Sequence, residues 1–207
     1  SGCLGDGDLD FDAPLHLAFD SNASISTCCV GQKDGGTMRV LKSFYVKPPG
    51  KLQDLVKQVA DYYRPKLKHE VVVYYDHTFT WETGASNESY ADIIRRVLEE
   101  NGYTVQMVYV GQAPRHDWKH LNIDRSLKGD PDFLLIRINL YNNEFLKIAL
   151  GKNGFEKDKT PEGTPDTPDT PDEYKTHITD AFDTLWYGMN FCFTEPGMVE
   201  CGAFFLK

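Results

Sequence analysis

Residues 70 to 76 read Glu-Val-Val-Val-Tyr-Tyr-Asp, a near-continuous apolar run without polar alternation. A strand of that kind is covered on both faces, so the chain that carries it must supply helices to both sides of a sheet. Such central strands are typically parallel and joined by helical crossovers, which places the chain in the α/β class. The run ends on a carboxylate, Asp76. An earlier apolar run, Leu15-His16-Leu17-Ala18-Phe19, ends on Asp20 and turns through Ser21-Asn22-Ala23-Ser24 into a second run, Ile25 to Gln32.

Around these two runs the remaining elements follow from periodicity and turn chemistry. Lys33-Asp34-Gly35-Gly36 has the length and composition of a hairpin turn, and Met38 to Val46 reads as a third antiparallel strand. Pro48-Pro49-Gly50 breaks the sheet. Leu52, Leu55, Val56, Val59 and Tyr63 then recur at helical spacing until Arg64-Pro65. Tyr90, Ile93, Ile94, Val97 and Leu98 predict a second helix, with Asn87 as N-cap, Glu88 in the first turn and Gly102 past the end. Thr104 to Val110 is a strand. Pro114 to Asp132 is mixed and charged, with a helix expected in it. Phe133 to Leu140 reads either as a short strand or as the start of a helix running through Phe145, Leu146, Ile148 and Ala149. Ile178, Ala181, Phe182, Leu185 and Met189 define the last helix, and residues 190 to 207 read as an apolar tail with a possible edge strand.

Residues 1 to 13, rich in Gly and Asp, are expected to be a flexible lead-in, and residues 14 to 207 a single domain. Within it, residues 160 to 173 repeat Thr-Pro-Asp, and proline with like charges predicts a mobile loop. That loop carries Glu162, Asp166, Asp169, Asp172 and Glu173 with no Lys or Arg. Five of the net −9 charges therefore fall in it, and the remainder of the chain carries −4. An acidic balance argues against a dedicated nucleic-acid-binding module, but a mildly acidic body still accommodates a local basic groove. If the loop hangs over such a groove, its acids repel DNA; otherwise it is an inert spacer.

The five cysteines contain no C-x-x-C pair, and Cys28-Cys29 sit side by side in an apolar run, where they act as small apolar residues. A reducing, cytoplasmic setting is expected. No apolar run reaches the length of a membrane span, and Ser-Gly-Cys-Leu-Gly-Asp reads as neither signal peptide nor anchor. No G-x-x-x-x-G-K-[ST] phosphate loop is present, so the chain cannot drive an ATPase cycle by that route.

Asp20 and Asp76 lie at strand C-terminal ends, where α/β sheets usually place ligands, and they would meet if their strands were adjacent and parallel. Turn capping explains both acids equally simply. Asp180 lies opposite the apolar stripe of the last helix, with Asp183 at i+3; a solvated helix face predicts the same placement. Three converging carboxylates form a site for hard divalent cations such as Mg²⁺ or Mn²⁺, and a pair of such ions suits phosphodiester hydrolysis. The six histidines lack the Cys or Glu company of a zinc site, although His77 and His177 fall within hydrogen-bonding reach of the acids.

These residues resemble a known family. Pro14 to Asn22 is similar to the first acidic strand, Val73-Tyr74-Tyr75-Asp76 to the second, and His177-Ile178-Thr179-Asp180-Ala181-Phe182 to the H-x-x-D-A helix of the C-terminal nuclease domain of phage terminase large subunits. Phe133 to Asn139, followed by Leu146 to Leu150, is similar to the segment before that family's mobile loop. The resemblance covers roughly residues 14 to 189. It implies a ribonuclease H-like fold, a mixed central sheet of antiparallel hairpins then parallel strands flanked by helices. It also implies a two-metal endonuclease that cuts concatemeric viral double-stranded DNA during packaging, using Asp20, Asp76 and Asp180 with two Mg²⁺ or Mn²⁺ ions. Asp183 is an additional candidate ligand. The implied partners are an ATPase motor domain, a portal and a small terminase subunit, and the implied location is the host-cell cytoplasm. The motor is absent from this chain, which reads as a fragment or a stand-alone relative. Asp76-His77-Thr78-Phe79-Thr80-Trp81 is bulkier than the family's segment there. Two other readings share the fold: a DNA- or partner-binding module with weak or lost catalysis, and a junction-resolving nuclease.

Overall fold

The computed structural model describes residues 9–64, 69–82, 87–112, 114–152, 171 and 177–192. Most of the Thr-Pro-Asp segment, with all five of its acids, lies outside the described residues, as do residues 1–8 and 193–207. Strands β1 (Leu15–Ser21), β2 (Ser26–Asp34) and β3 (Thr37–Val46) form the expected antiparallel meander. Strand β2 runs on through Asp34, so Gly35 and Gly36 alone make the turn, with Gly35 at a φ of +53° that glycine adopts without strain. Strand β4 (Glu70–Asp76) pairs parallel to β1, matching Leu15 with Val71 and Ala18 with Tyr74. Strand β5 (Thr104–Gly111) pairs parallel to β4, and β6 (Leu135–Ile138) parallel to β3. The six-stranded order is β5-β4-β1-β2-β3-β6.

Helices α1 (Leu52–Tyr63), α2 (Tyr90–Glu100), α3 (His116–Lys128), α4 (Glu144–Lys152) and α5 (His177–Tyr187) flank this sheet. The N-cap of α2 is Ser89, not Asn87. Ser89 Oγ accepts from the Asp92 N–H while the Asp92 carboxylate accepts from the Ser89 N–H, a reciprocal capping box that Asn87 lies too early to make. Helix α3 ends on Gly129, whose φ of +81° closes the turn. The Phe133 to Leu140 ambiguity resolves as a strand. Asn139 Oδ1 accepts from the Tyr141 and Asn142 N–H groups, and Asn143 donates to the Asn139 carbonyl, closing a turn before α4 begins. After α5 the chain continues in a π-helical turn, Gly188–Cys192, so Asn190 to Cys192 are helical rather than extended. Residues 9–13 are tied down by Gln32, whose side chain accepts from the Asp10 N–H and donates to the Asp10 and Ala13 carbonyls. No helix among the described residues is long and apolar enough to cross a membrane.

Alternation along the strands divides the core in two. Leu15, Leu17, Phe19, Val71 and Val73 pack with Leu55, Val56, Val59, Ile94 and Leu98 of α1 and α2. Ala18, Val72 and Tyr74 point the other way, into Ile123 of α3, Leu146 of α4 and Ile178, Phe182 and Leu185 of α5. Asp20 lies two residues beyond Ala18 and Asp76 two beyond Tyr74. Period-two geometry therefore sends the Asp20 carboxylate to the α5 side, whereas the β4–β5 ladder is irregular between Tyr75 and Asp76. Tight packing holds α5 there: a Cβ built on Gly188 would come 2.2 Å from Tyr74 Cδ1.

Candidate metal centre

The turn after β1 aims two groups at the start of α5. Asn22 Oδ1 accepts from the Ser24 and Ile25 N–H groups, closing the turn, and leaves its Nδ2 2.9 Å from His177 Nδ1. Thr27, opposite Asp20 in the β1–β2 register, donates its hydroxyl to the His177 carbonyl at 3.1 Å. These contacts bring His177 Nδ1 to 3.3 Å from Asp20 Oδ2. The Asn22 amide also lies 3.0 Å from His177 Nε2, so the tautomer with its proton on Nδ1 faces the Asp20 carboxylate while Nε2 accepts from Asn22. Among the described residues, Asp20 Oδ2 is buried and accepts no hydrogen bond.

Asp180 completes the group. Among the described residues, Asp20, His177 and Asp180 each offer a ligand atom, all within 4.8 Å of one another. Burial, then the neighbouring Asp20 and Asp183 charges, push the Asp180 carboxyl up to about 7, against weaker opposing pulls from Lys119 and His177. A cluster that holds an acid half-protonated near neutrality lacks positive charge. An orphaned carboxylate oxygen, a second carboxyl and an imidazole fit a divalent cation with oxygen preference, and the N–H groups in the first turn of α5 favour anionic side chains beside them.

The other expected ligands are placed differently. The β1–β4 pairing ends at Ala18 and Tyr74, two residues before Asp20 and Asp76, and Asp76 stands outside the three-residue group. Its Oδ1 accepts from the Thr78 N–H at 2.9 Å and the Thr78 hydroxyl at 2.6 Å, capping a 3-10 turn, His77–Thr80. The bulky segment after Asp76 thus folds as a capped turn, with Phe79 buried and the His77 ring edge-on to Trp81. Asp183 is buried and ion-paired with Lys119 of α3, Nζ to Oδ2 2.9 Å. His16 belongs to the core: it hydrogen-bonds Tyr74 Oη at 2.9 Å, and burial lowers it to about 4. Burial also pushes the Cys28 and Cys29 thiols up, leaving neither poised as a nucleophile. Sequence reasoning treated His177 as a neighbour rather than a member of the group; its signal was the i, i+3 spacing to Asp180 on one helix face. Lys119 carried no signal.

No protein-family model matches the sequence, and no curated protein does. Solved structures do resemble the fold. The large terminase of the thermophilic bacteriophage D6E superposes with a TM-score of 0.52 at 14% identity, over 86% of this chain and 40% of that one. The human cytomegalovirus terminase nuclease domain, manganese-soaked, superposes with a TM-score of 0.50 at 9% identity, over 87% of this chain and 85% of that one. The chain thus spans 40% of the length of the phage protein. The mixed sheet flanked by helices is the ribonuclease H-like fold, and the chain is similar to terminase nuclease domains.

Proposed function

We propose that this chain is a divalent-metal-dependent endodeoxyribonuclease that cuts concatemeric viral double-stranded DNA during genome packaging, in the host-cell cytoplasm. The observation that carries the reading is the convergence of Asp20, His177 and Asp180 at the end of β1, with Asp20 Oδ2 buried and accepting no hydrogen bond among the described residues. Asp20, Asp76 and Asp180 are the proposed ligands for two Mg²⁺ or Mn²⁺ ions, with His177 beside them. The manganese soak of the cytomegalovirus domain supports that choice of ion. When bound, the ions supply an activated water and a positive clamp on the leaving oxygen. The chain's own part is to hold the acids still. Thr27 and Asn22 fix His177, the α5 packing fixes Asp180, and the Thr78 cap orients Asp76. His177, with its two possible proton positions, is suited to pass a proton near the reacting phosphate.

The domain proposed for this activity is residues 14 to 207, with residues 1 to 13 as a lead-in and the Thr-Pro-Asp loop at 160–173. An ATPase motor, a portal and a small subunit are the proposed partners, supported by the similarity to a large terminase. Nicking of supercoiled plasmid with Mn²⁺, with Asp20→Asn as control, tests the reading. Cleavage lost in the variant is expected. Cleavage that persists in the variant, or is confined to four-way junctions, overturns it.

A further inference from the structure

A lysine and an aspartate rarely enter a protein interior, because each loses its hydration and only good mutual geometry offsets that loss. Lys119 and Asp183 do so together, 2.9 Å apart, with each side chain 6% exposed. The pair joins two helices. Asp183 lies one helical turn beyond Asp180 on α5, and Lys119 reaches it from α3. Helix α3 is itself fixed. Ile123 is in the core, Ser126 Oγ accepts from Trp186 Nε1 at 3.1 Å, and the Trp118 and Trp186 rings meet at 6.2 Å. The ammonium therefore cannot withdraw without dismantling that packing.

Two observations bear on what the ammonium does. The group able to hold a cation comprises Asp20, His177 and Asp180, and among the described residues it does not take in Asp183. The Asp183 carboxylate, only 6% exposed, is held 2.9 Å from the Lys119 ammonium. Asp180 feels both charges with opposite signs, so the pair lies close to the centre, and Lys119 opposes the Asp183 charge there.

On the metal-nuclease reading above, we propose that Lys119 is a positioning residue that serves as the permanent counter-cation of Asp183 and keeps this carboxylate out of the coordination shell. The divalent ions are then held by Asp20, Asp76 and Asp180, with His177 beside them. Four acids crowd this corner, and the ammonium reduces the charge that the ions must neutralise from four carboxylates to three.

The test is binding of Mn²⁺ alone to the full chain without DNA, followed by the electron paramagnetic resonance of the free ion. The variants are Lys119→Met, Lys119→Met/Asp183→Leu and, as a scale, Asp180→Asn. Removing both members of the pair leaves the local charge unchanged, so the double variant is expected to keep wild-type stoichiometry and an affinity within about threefold. Removing Lys119 alone releases the Asp183 carboxylate, and that variant is expected to bind an additional Mn²⁺ or to bind about tenfold more tightly. A double variant weakened as much as Asp180→Asn makes Asp183 a ligand and overturns the proposal. A single variant that binds like the wild type reduces Lys119 to a structural pin and overturns it too. The double variant still reads if the single one fails to fold. Wild-type protein that binds no Mn²⁺ overturns the metal reading itself, an outcome distinct from the others.

Discussion

The two sides of the sheet are made by the same strands, residue by residue in alternation, yet they are built on different terms. Toward α1 and α2 the interior is almost wholly aliphatic and aromatic, and Tyr103, whose hydroxyl donates to the Ala60 carbonyl at 2.8 Å, is its chief polar insertion. Toward α3, α4 and α5 the apolar packing is interrupted by paired polar groups: His16 with Tyr74, Trp186 with Ser126, Ser43 with Asn143 and Lys119 with Asp183. Each pair offsets a desolvation cost of the kind that the other side meets at Tyr103. The aliphatic side supplies stability from burial, about 1.5–3 kcal/mol for each large side chain. The mixed side fixes directions, which is what a cluster of ligands requires.

Substitutions on each side should therefore separate activity from stability. The largest effect is expected from Asp180→Asn, with DNA cleavage falling about 100-fold or more, since even groups that merely support a metal ligand cost up to that much. The same variant should melt higher than wild type in metal-free buffer at pH 8, because it removes a carboxylate held against its preference for protonation. A lower melting temperature would break the distinction. On the other side, Leu55→Ala removes a fully buried side chain and is expected to cost about 2–5 kcal/mol in denaturant unfolding. Its Mn²⁺ affinity, measured where the protein is folded, should not change.

The third expectation concerns pH. The Asp180 carboxyl titrates at about 7 in the folded protein against 3.8 for an ordinary aspartate. Between those values the folded state binds more protons than the unfolded one, so metal-free stability falls as pH rises through this interval and levels off above about 7. Manganese binding strengthens over the same interval, because the ion displaces the proton. Melts of wild type and Asp180→Asn across pH 4 to 8 check it; equal slopes would remove Asp180 as the cause. The smallest effect is expected from Thr27→Val, which deletes the hydroxyl bonded to the His177 carbonyl and should cost about 0.5–1.5 kcal/mol in a thermal melt.

The aliphatic side was the more legible of the two in the sequence. Its strands and helices announce themselves by continuous runs and clean helical spacing, and the burial of β4 on both faces marks it as a parallel strand, whereas its adjacency to β1 is a fact of the structure. Pattern alone marks Asp20 and Asp76 as strand-end acids, with turn capping an equal account of both, and Asp76 does cap a turn. The mixed side was harder because its elements depend on partners remote in sequence. Helix α3 carries charged residues on most of its surface, and Lys119 reads as a solvent lysine until α5 is laid against it. The N-cap of α2 was misplaced by two residues because Ser89 and Asn87 are both good caps, and only the reciprocal Asp92 contact decides between them.

The contacts that tie the turn after β1 to α5 carry a consequence for the order of events as the chain is made. Asn22 and His177 are 155 positions apart, and Thr27 reaches the same residue across 150. Contacts of such long range close large loops and are secured late in folding. During synthesis, Asp20 is exposed from the ribosome long before His177 and Asp180 exist. A growing or partly folded chain therefore holds only half of this cluster, and on the proposed reading cutting begins only once the segment carrying His177 and Asp180 has folded against β1.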